Sequence, residues 1–195
     1  MTCSLKRKYP RNGTAAALRG GSIAATGAKN DTFVYQEAIA GILGYVTLGQ
    51  NNYVEMMNVV AKIGPITVSV AAHDWHLYSK GVFYEPLNST KSTDIDHLVV
   101  LEGYGTDEET GEDYWLVRNS WGPLWGEKGY IRLRRVDPST LDDPDSDCGM
   151  DVTPANGEAC TKDKDGNDVT PPPAKVCGTS GVLYWATVPL GAHII

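Results

Sequence analysis

Apolar residues alternate with polar ones in two short stretches of the chain and recur at helical spacing in a third. Ile66-Thr67-Val68-Ser69-Val70 is apolar at every second position, which predicts a strand buried on one face. Tyr130-Ile131-Arg132-Leu133-Arg134 alternates in the same way and predicts a second half-buried strand. Between Asn51 and Ile63 the residues Val54, Met57, Val60 and Ala61 recur at helical spacing. That segment predicts a helix, with Asn51 or Asn52 as its cap and Gly64-Pro65 as its stop. Gly44–Leu48 alternates weakly and predicts a strand, and Asp74–Tyr78 a single helical turn. His97–Tyr104 is an apolar strand, Asp107–Glu112 a polar turn containing Gly111, and Tyr114–Arg118 the returning strand of a hairpin. Together these elements predict an α+β fold: a strongly bent antiparallel sheet or open barrel with one main helix. Residues 1–43, rich in Gly, Ala, Ser and Thr, predict loops, and the pattern stops again between Asp137 and Lys175.

The predicted hairpin matters because of what lies at its open end. His97 and Asn119 are too far apart in sequence for one helical face, and paired strands would bring them together. An imidazole beside a side-chain amide suits the base of a nucleophilic mechanism. The imidazole takes a proton from a thiol and later returns it to a leaving amine. The amide oxygen accepts the other ring N–H and fixes one tautomer without adding charge. Trp121, two residues after Asn119, would exclude water from that hydrogen bond.

Three segments, in order, carry a specific resemblance. They are Asp96-His97-Leu98-Val99-Val100-Leu101-Glu102-Gly103-Tyr104-Gly105, then Tyr114-Trp115-Leu116-Val117-Arg118-Asn119-Ser120-Trp121-Gly122, then Trp125-Gly126-Glu127-Lys128-Gly129-Tyr130. Gly64-Pro65-Ile66-Thr67-Val68-Ser69-Val70 and Gly81-Val82-Phe83-Tyr84 precede them. From about Gly44 to Tyr130, and weakly from Leu183 to Pro189, the chain resembles the C-terminal half of papain-like cysteine peptidases of the cathepsin L type. The resemblance implies the right-hand, antiparallel β-barrel-like domain of the papain fold over residues 44–195, with the left-hand helical domain absent and residues 1–43 an irregular inter-domain remnant. It implies His97 as catalytic base and Asn119 as its orienting partner, with Trp121 and Trp125 supporting the cleft. It also implies a substrate pocket lined by Ala72, Ile95, Leu98 and Ala186 that takes bulky apolar side chains. Leu98 departs from the small residue usual after the histidine. No metal and no cofactor are implied; the partners are a peptide or protein substrate and the missing left-hand domain carrying the nucleophilic cysteine.

That cysteine has no counterpart here. Cys3 is followed by Ser4-Leu5-Lys6, not by the family's nucleophile context, and resembles a left-half disulfide cysteine without its partner. Cys148-Gly149 and Cys177-Gly178 both resemble the family's late cysteine-glycine pair, as though an acidic loop, about residues 137–176, had been inserted. Cys160 and Cys177 are candidates to staple that insertion, and Cys148, Cys160 and Cys177 allow three single pairings. The run Asp163-Lys164-Asp165-Gly166-Asn167-Asp168 hints at a calcium loop but places Thr161 and Pro172 at ligand positions, so a solvated acidic loop is expected.

Composition narrows the partners. Among 195 residues the net charge is −7, and no basic stripe is interleaved with aromatics, which argues against nucleic acid. No apolar run approaches the ~20 residues of a membrane helix. No signal peptide opens the chain, yet three sequons (Asn12-Gly13-Thr14, Asn30-Asp31-Thr32, Asn88-Ser89-Thr90) and four cysteines fit a lysosomal, vacuolar or extracellular setting. His73, His76 and His193 are expected to be structural or surface residues, Trp115 and Trp185 to lie in the core, and Asp96 to have a structural role. Three readings stand: half of a thiol peptidase that is inactive alone, a regulatory or partner-binding domain of the same fold, and a structural glycoprotein whose acidic insertion does the work.

Overall fold

The computed structural model describes residues 39–156 and 161–195. They fall into two units. The larger takes in residues 47–156 and 161–188, and the smaller residues 39–46 and 189–195. In the smaller unit Ala40–Gly41 pairs antiparallel with His193–Ile194, and the Leu43 amide donates to the Leu190 carbonyl.

A strand forms over Gly44–Thr47, where the weak alternation of residues 44–48 predicts one. Helix α1 follows (Tyr53–Lys62). The Asn52 side chain caps the helix by accepting from the Glu55 amide, and the Glu55 carboxylate accepts from the Asn52 side-chain amide and the Gly49 amide. Its buried face is Tyr53, Met56 and Val60 rather than the expected Val54, Met57, Val60 and Ala61. Val54 is 65% exposed, because the aromatic Tyr53 takes the inward stripe by packing edge-on against Trp115.

Six strands of this unit share one sheet: β1 (Ile66–Val70), β2 (Val82–Phe83), β3 (His97–Thr106), β4 (Asp113–Arg118), β5 (Tyr130–Arg134) and β8 (Trp185–Leu190), in the spatial order β8-β1-β3-β4-β5-β2. The predicted hairpin is β3 with β4, and a bulge between Leu101 and Gly103 bends it. Among the described residues the sheet stays open, as a bent sheet or open barrel requires, and one pairing departs from a purely antiparallel arrangement: β2 runs parallel to β5. The core lies between this sheet and α1, with Ile66, Val68, Leu101, Trp115, Val117, Ile131 and Leu133 at most 1% exposed.

The insertion is more ordered than its sequence pattern predicts. β6 (Cys148–Asp151) and β7 (Ala174–Cys177) form an antiparallel stem that aligns Cys148 with Cys177, and a disulfide joins them. The expected candidate pairing of Cys160 with Cys177 is therefore replaced. Cys3 and Cys160 lie outside the described residues, as do Asn12 and Asn30. Within the stem's loop, Asp163 accepts from the amides of Asn167 and Asp165, closing a tight turn with its own carboxylate; the Asn167 amide chiefly holds that carboxyl below its ordinary range. The fully buried Asp151 accepts from the Ile95 amide and ties the stem to the segment entering β3. A short helix, α2 (Thr90–Thr93), was not visible in the polar sequence; Ser89 caps it. No helix among the described residues is long and apolar enough to cross a membrane.

Candidate active site

His97 opens β3 and pairs with Val70 of β1; Asn119 directly follows β4. The hairpin register sets Val100 opposite Arg118, which brings the two side chains together. His97 Nε2 lies 2.9 Å from Asn119 Oδ1. The Ser120 amide donates to the same oxygen at 2.7 Å. That second bond fixes the amide's orientation, since a turned amide would set its NH2 group against the Ser120 N–H. Oδ1 therefore faces the imidazole, Nε2 carries the ring proton, and Nδ1 keeps its lone pair. Asn119 is 8% exposed, and its Nδ2 has no partner among the described residues. An unpaired buried amide costs about 1–3 kcal/mol. The site tolerates that cost while holding Oδ1 toward the histidine.

Three tryptophans surround the pair. Trp121 stacks on His97 with ring centres 5.5 Å apart, and Trp75 meets it edge-on at 6.5 Å. Trp125 bridges them, stacked on Trp75 at 6.3 Å and edge-on to Trp121 at 5.0 Å, and its Nε1 donates to the Trp75 carbonyl. The loop after β4 sets this geometry. The Asn119 amide donates to the Gly129 carbonyl, and the Gly129 amide to the Trp125 carbonyl. Gly126 is required there: its φ is +55°, and a Cβ would lie 2.5 Å from the Tyr130 carbonyl oxygen. Arg132 anchors the surroundings by pairing with Asp107 in the hairpin turn and with Glu127, which also accepts from the Gly81 amide. The Arg132 guanidinium holds the Asp107 carboxyl down to about 2 and also lowers Glu127. Burial pushes the nearby Tyr78 hydroxyl up to about 12.

The remaining expected site residues do not all gather here. Leu98 is 64% exposed and lines a pocket of about 200 Å³ with Thr67, Arg118, Asn119 and Ser120. Ala72, Ile95 and Ala186 are buried: Ala72 and Ala186 in the main core, Ile95 in a smaller cluster with Ala71, Val176 and Tyr184. Asp96 accepts from the Ala72 amide, a structural bond. His73, His76 and His193 are exposed and Trp115 is buried, as expected. Trp185 corrects the expectation of a core residue. It is 37% exposed because Ala186 and Val188 take the inward positions of β8. Trp75 was missed; a tryptophan amid polar residues in a predicted helical turn is the one signal that points to it.

A family model described as papain family cysteine protease matches residues 8–155, more than half of the chain. The chain belongs to the papain family of cysteine proteases. It is 41% identical over 109 residues to a cathepsin L-like peptidase of Aedes aegypti, covering 55% of this chain and 29% of that protein. To cathepsin L of Sarcophaga peregrina it is 46% identical over 94 residues, covering 47% of this chain and 27% of the relative. Its fold matches bromelain of Ananas comosus, solved with the E64 inhibitor, with TM-score 0.51 and 30% identity over 77% of this chain and 51% of bromelain. This papain-family chain thus spans less than a third of the curated relatives it matches and about half of bromelain. Its mostly stranded architecture is that of the β-rich domain of the papain fold.

Proposed function

We propose that this chain is the histidine-bearing half of a peptidase that hydrolyses peptide bonds by a Cys-His-Asn mechanism, with the cysteine supplied by a left-hand half. Residues 44–195 form the right-hand domain, carrying an insertion at about 137–176, and residues 1–43 are the inter-domain segment. The observation that carries the reading is the His97 Nε2–Asn119 Oδ1 bond, pinned by the Ser120 amide. It leaves Nδ1 free to take the thiol proton, forming the thiolate that attacks the scissile carbonyl, and then to protonate the leaving amine. Asn119 keeps the ring in one tautomer. Trp121 and Trp125 shield that bond from water and so strengthen it. Of the four expected pocket residues, Leu98 is the one with surface to offer a substrate side chain; Ala72, Ile95 and Ala186 are buried in the core.

The chain alone is then a base without a nucleophile and hydrolyses peptides negligibly. Incubating the purified 195-residue chain with a peptide bearing apolar residues before the cleaved bond tests this: thiol-blocker-sensitive turnover would contradict it. The exposed apolar side chains Leu98, Trp121 and Leu124 favour a second reading, a non-catalytic domain that docks a protein partner. A left half that binds without generating activity would select it. The Cys148–Cys177 disulfide and the exposed sequon at Asn88 support passage through an oxidising secretory route to a lysosome, a vacuole or the outside of the cell.

A further inference from the structure

Behind the histidine lies a buried polar chain that the proposed chemistry has not used. Trp75, fully buried, donates from Nε1 to Ser180 Oγ at 3.0 Å. Ser180 Oγ donates in turn to Glu85 Oε1 at 2.6 Å. Ser180 is 0% exposed and has φ +57°, the left-handed region that a serine adopts at an energetic cost. Its carbonyl accepts from the Ala71 amide, which anchors the strand leading into the Trp75 turn. A fully buried hydroxyl held in strained backbone between an indole and a half-buried carboxylate needs a reason. The side chain it fixes provides one: the Trp75 ring stands perpendicular to His97 at 6.5 Å and stacks on Trp125.

We propose that Ser180 and Glu85 are positioning residues for His97, acting through Trp75. Glu85 accepts a hydrogen bond from the Ser180 hydroxyl, which turns the Oγ lone pairs toward the indole N–H. The indole is then locked about its long axis, and its edge closes the side of the imidazole that Trp121 does not cover. Glu85 is itself partly enclosed, and burial pushes its carboxyl above the ordinary range, with Asp74 adding to the shift and the Ser180 bond opposing it. The inference rests on the reading of His97 as the base, but its test does not require peptide hydrolysis.

The test is site-resolved acylation of histidines by diethylpyrocarbonate in the 195-residue chain, followed by peptide mass spectrometry. His193 is exposed and distant in sequence from Trp75, so it serves as the internal control. Ser180→Ala removes the relay and keeps the strained backbone, whereas Ser180→Gly removes both. Each is expected to raise the His97 acylation rate roughly 2- to 13-fold, the factor by which losing one edge contact shifts an opening equilibrium, with His193 unchanged. Glu85→Gln, which keeps an acceptor, stays at the wild-type rate. Trp75→Phe, which keeps a ring and loses the N–H, behaves as Ser180→Ala and decides the matter if the serine variants do not fold. Unchanged His97 reactivity in the Ser180 and Trp75 variants, a rise in Glu85→Gln, or a rise shared equally by His193, overturns the proposal. Failure here leaves the base assignment standing, because that assignment is tested separately by turnover with a left half.

Discussion

Replacing Asn119 by alanine separates the orientation of His97 from the stability of the fold. Three terms follow from the geometry. The substitution removes the bonds that Oδ1 accepts from His97 Nε2 at 2.9 Å and from the Ser120 amide at 2.7 Å. Each is worth about 0.5–1.5 kcal/mol net. It also removes the buried Nδ2 that has no partner among the described residues, a relief of about 1–3 kcal/mol. These terms oppose one another, so denaturant unfolding of Asn119→Ala is expected within about 2 kcal/mol of wild type. The tautomer preference has no such compensation. The bond that holds the proton on Nε2 disappears, and the neutral imidazole loses a bias of roughly 2- to 13-fold between its two nitrogens. Long-range 1H–15N NMR of the chain reads those tautomers directly. A loss of more than 3 kcal/mol, or an Nε2–H tautomer retained in full, would refute the reasoning.

Acid unfolding offers a second check. Asp107 and Glu127 have folded values lowered by Arg132, so their contribution is present above the unfolded carboxylate range near ~4. It is lost as pH falls through the lowered values, to about 2 for Asp107. Arg132→Met should therefore lie well below wild type in stability at pH 6 and converge with it toward pH 2; a constant offset across that range would argue against the linkage. Replacing Cys148 and Cys177 by serine opens a loop spanning a sequence separation of 29 and should cost roughly 3–4 kcal/mol in denaturant unfolding. A change under 1 kcal/mol would mean that the β6–β7 stem holds the ends together unaided. Expressed through a eukaryotic secretory pathway, the chain should carry a glycan at Asn88, which is exposed and caps no element. Loss of one glycan's endoglycosidase-sensitive mass on Asn88→Gln checks this, and an unmodified Asn88 would contradict the secretory placement.

Much of the sheet was legible because its strands keep period 2 across one buried face. In Ile66–Val70 the residues Ile66, Val68 and Val70 are all buried, and in Tyr130–Arg134 it is Ile131 and Leu133. The pair His97 and Asn119 was legible for a different reason: the hairpin that joins them is local, so its turn and register can be read along the chain. What escaped was set by contacts distant in sequence. The face of α1 turned by one position because Tyr53 found Trp115. The disulfide followed the alignment of β6 with β7, which no spacing of three cysteines specifies. The polar α2 carries no apolar stripe, since its buried members Ser92 and Thr93 reach backbone carbonyls instead. The Trp75–Ser180–Glu85 chain joins residues with separations of 105 and 95, and nothing local marks Ser180 as special.

The account depends most on His97 acting as base toward a cysteine held by another half. The direct measurement is peptide turnover by the 195-residue chain refolded with a left-hand papain-family domain bearing that cysteine, compared for wild type and His97→Ala. The account predicts thiol-blocker-sensitive hydrolysis that appears only when both halves are present and that His97→Ala abolishes. Hydrolysis retained by His97→Ala would contradict it.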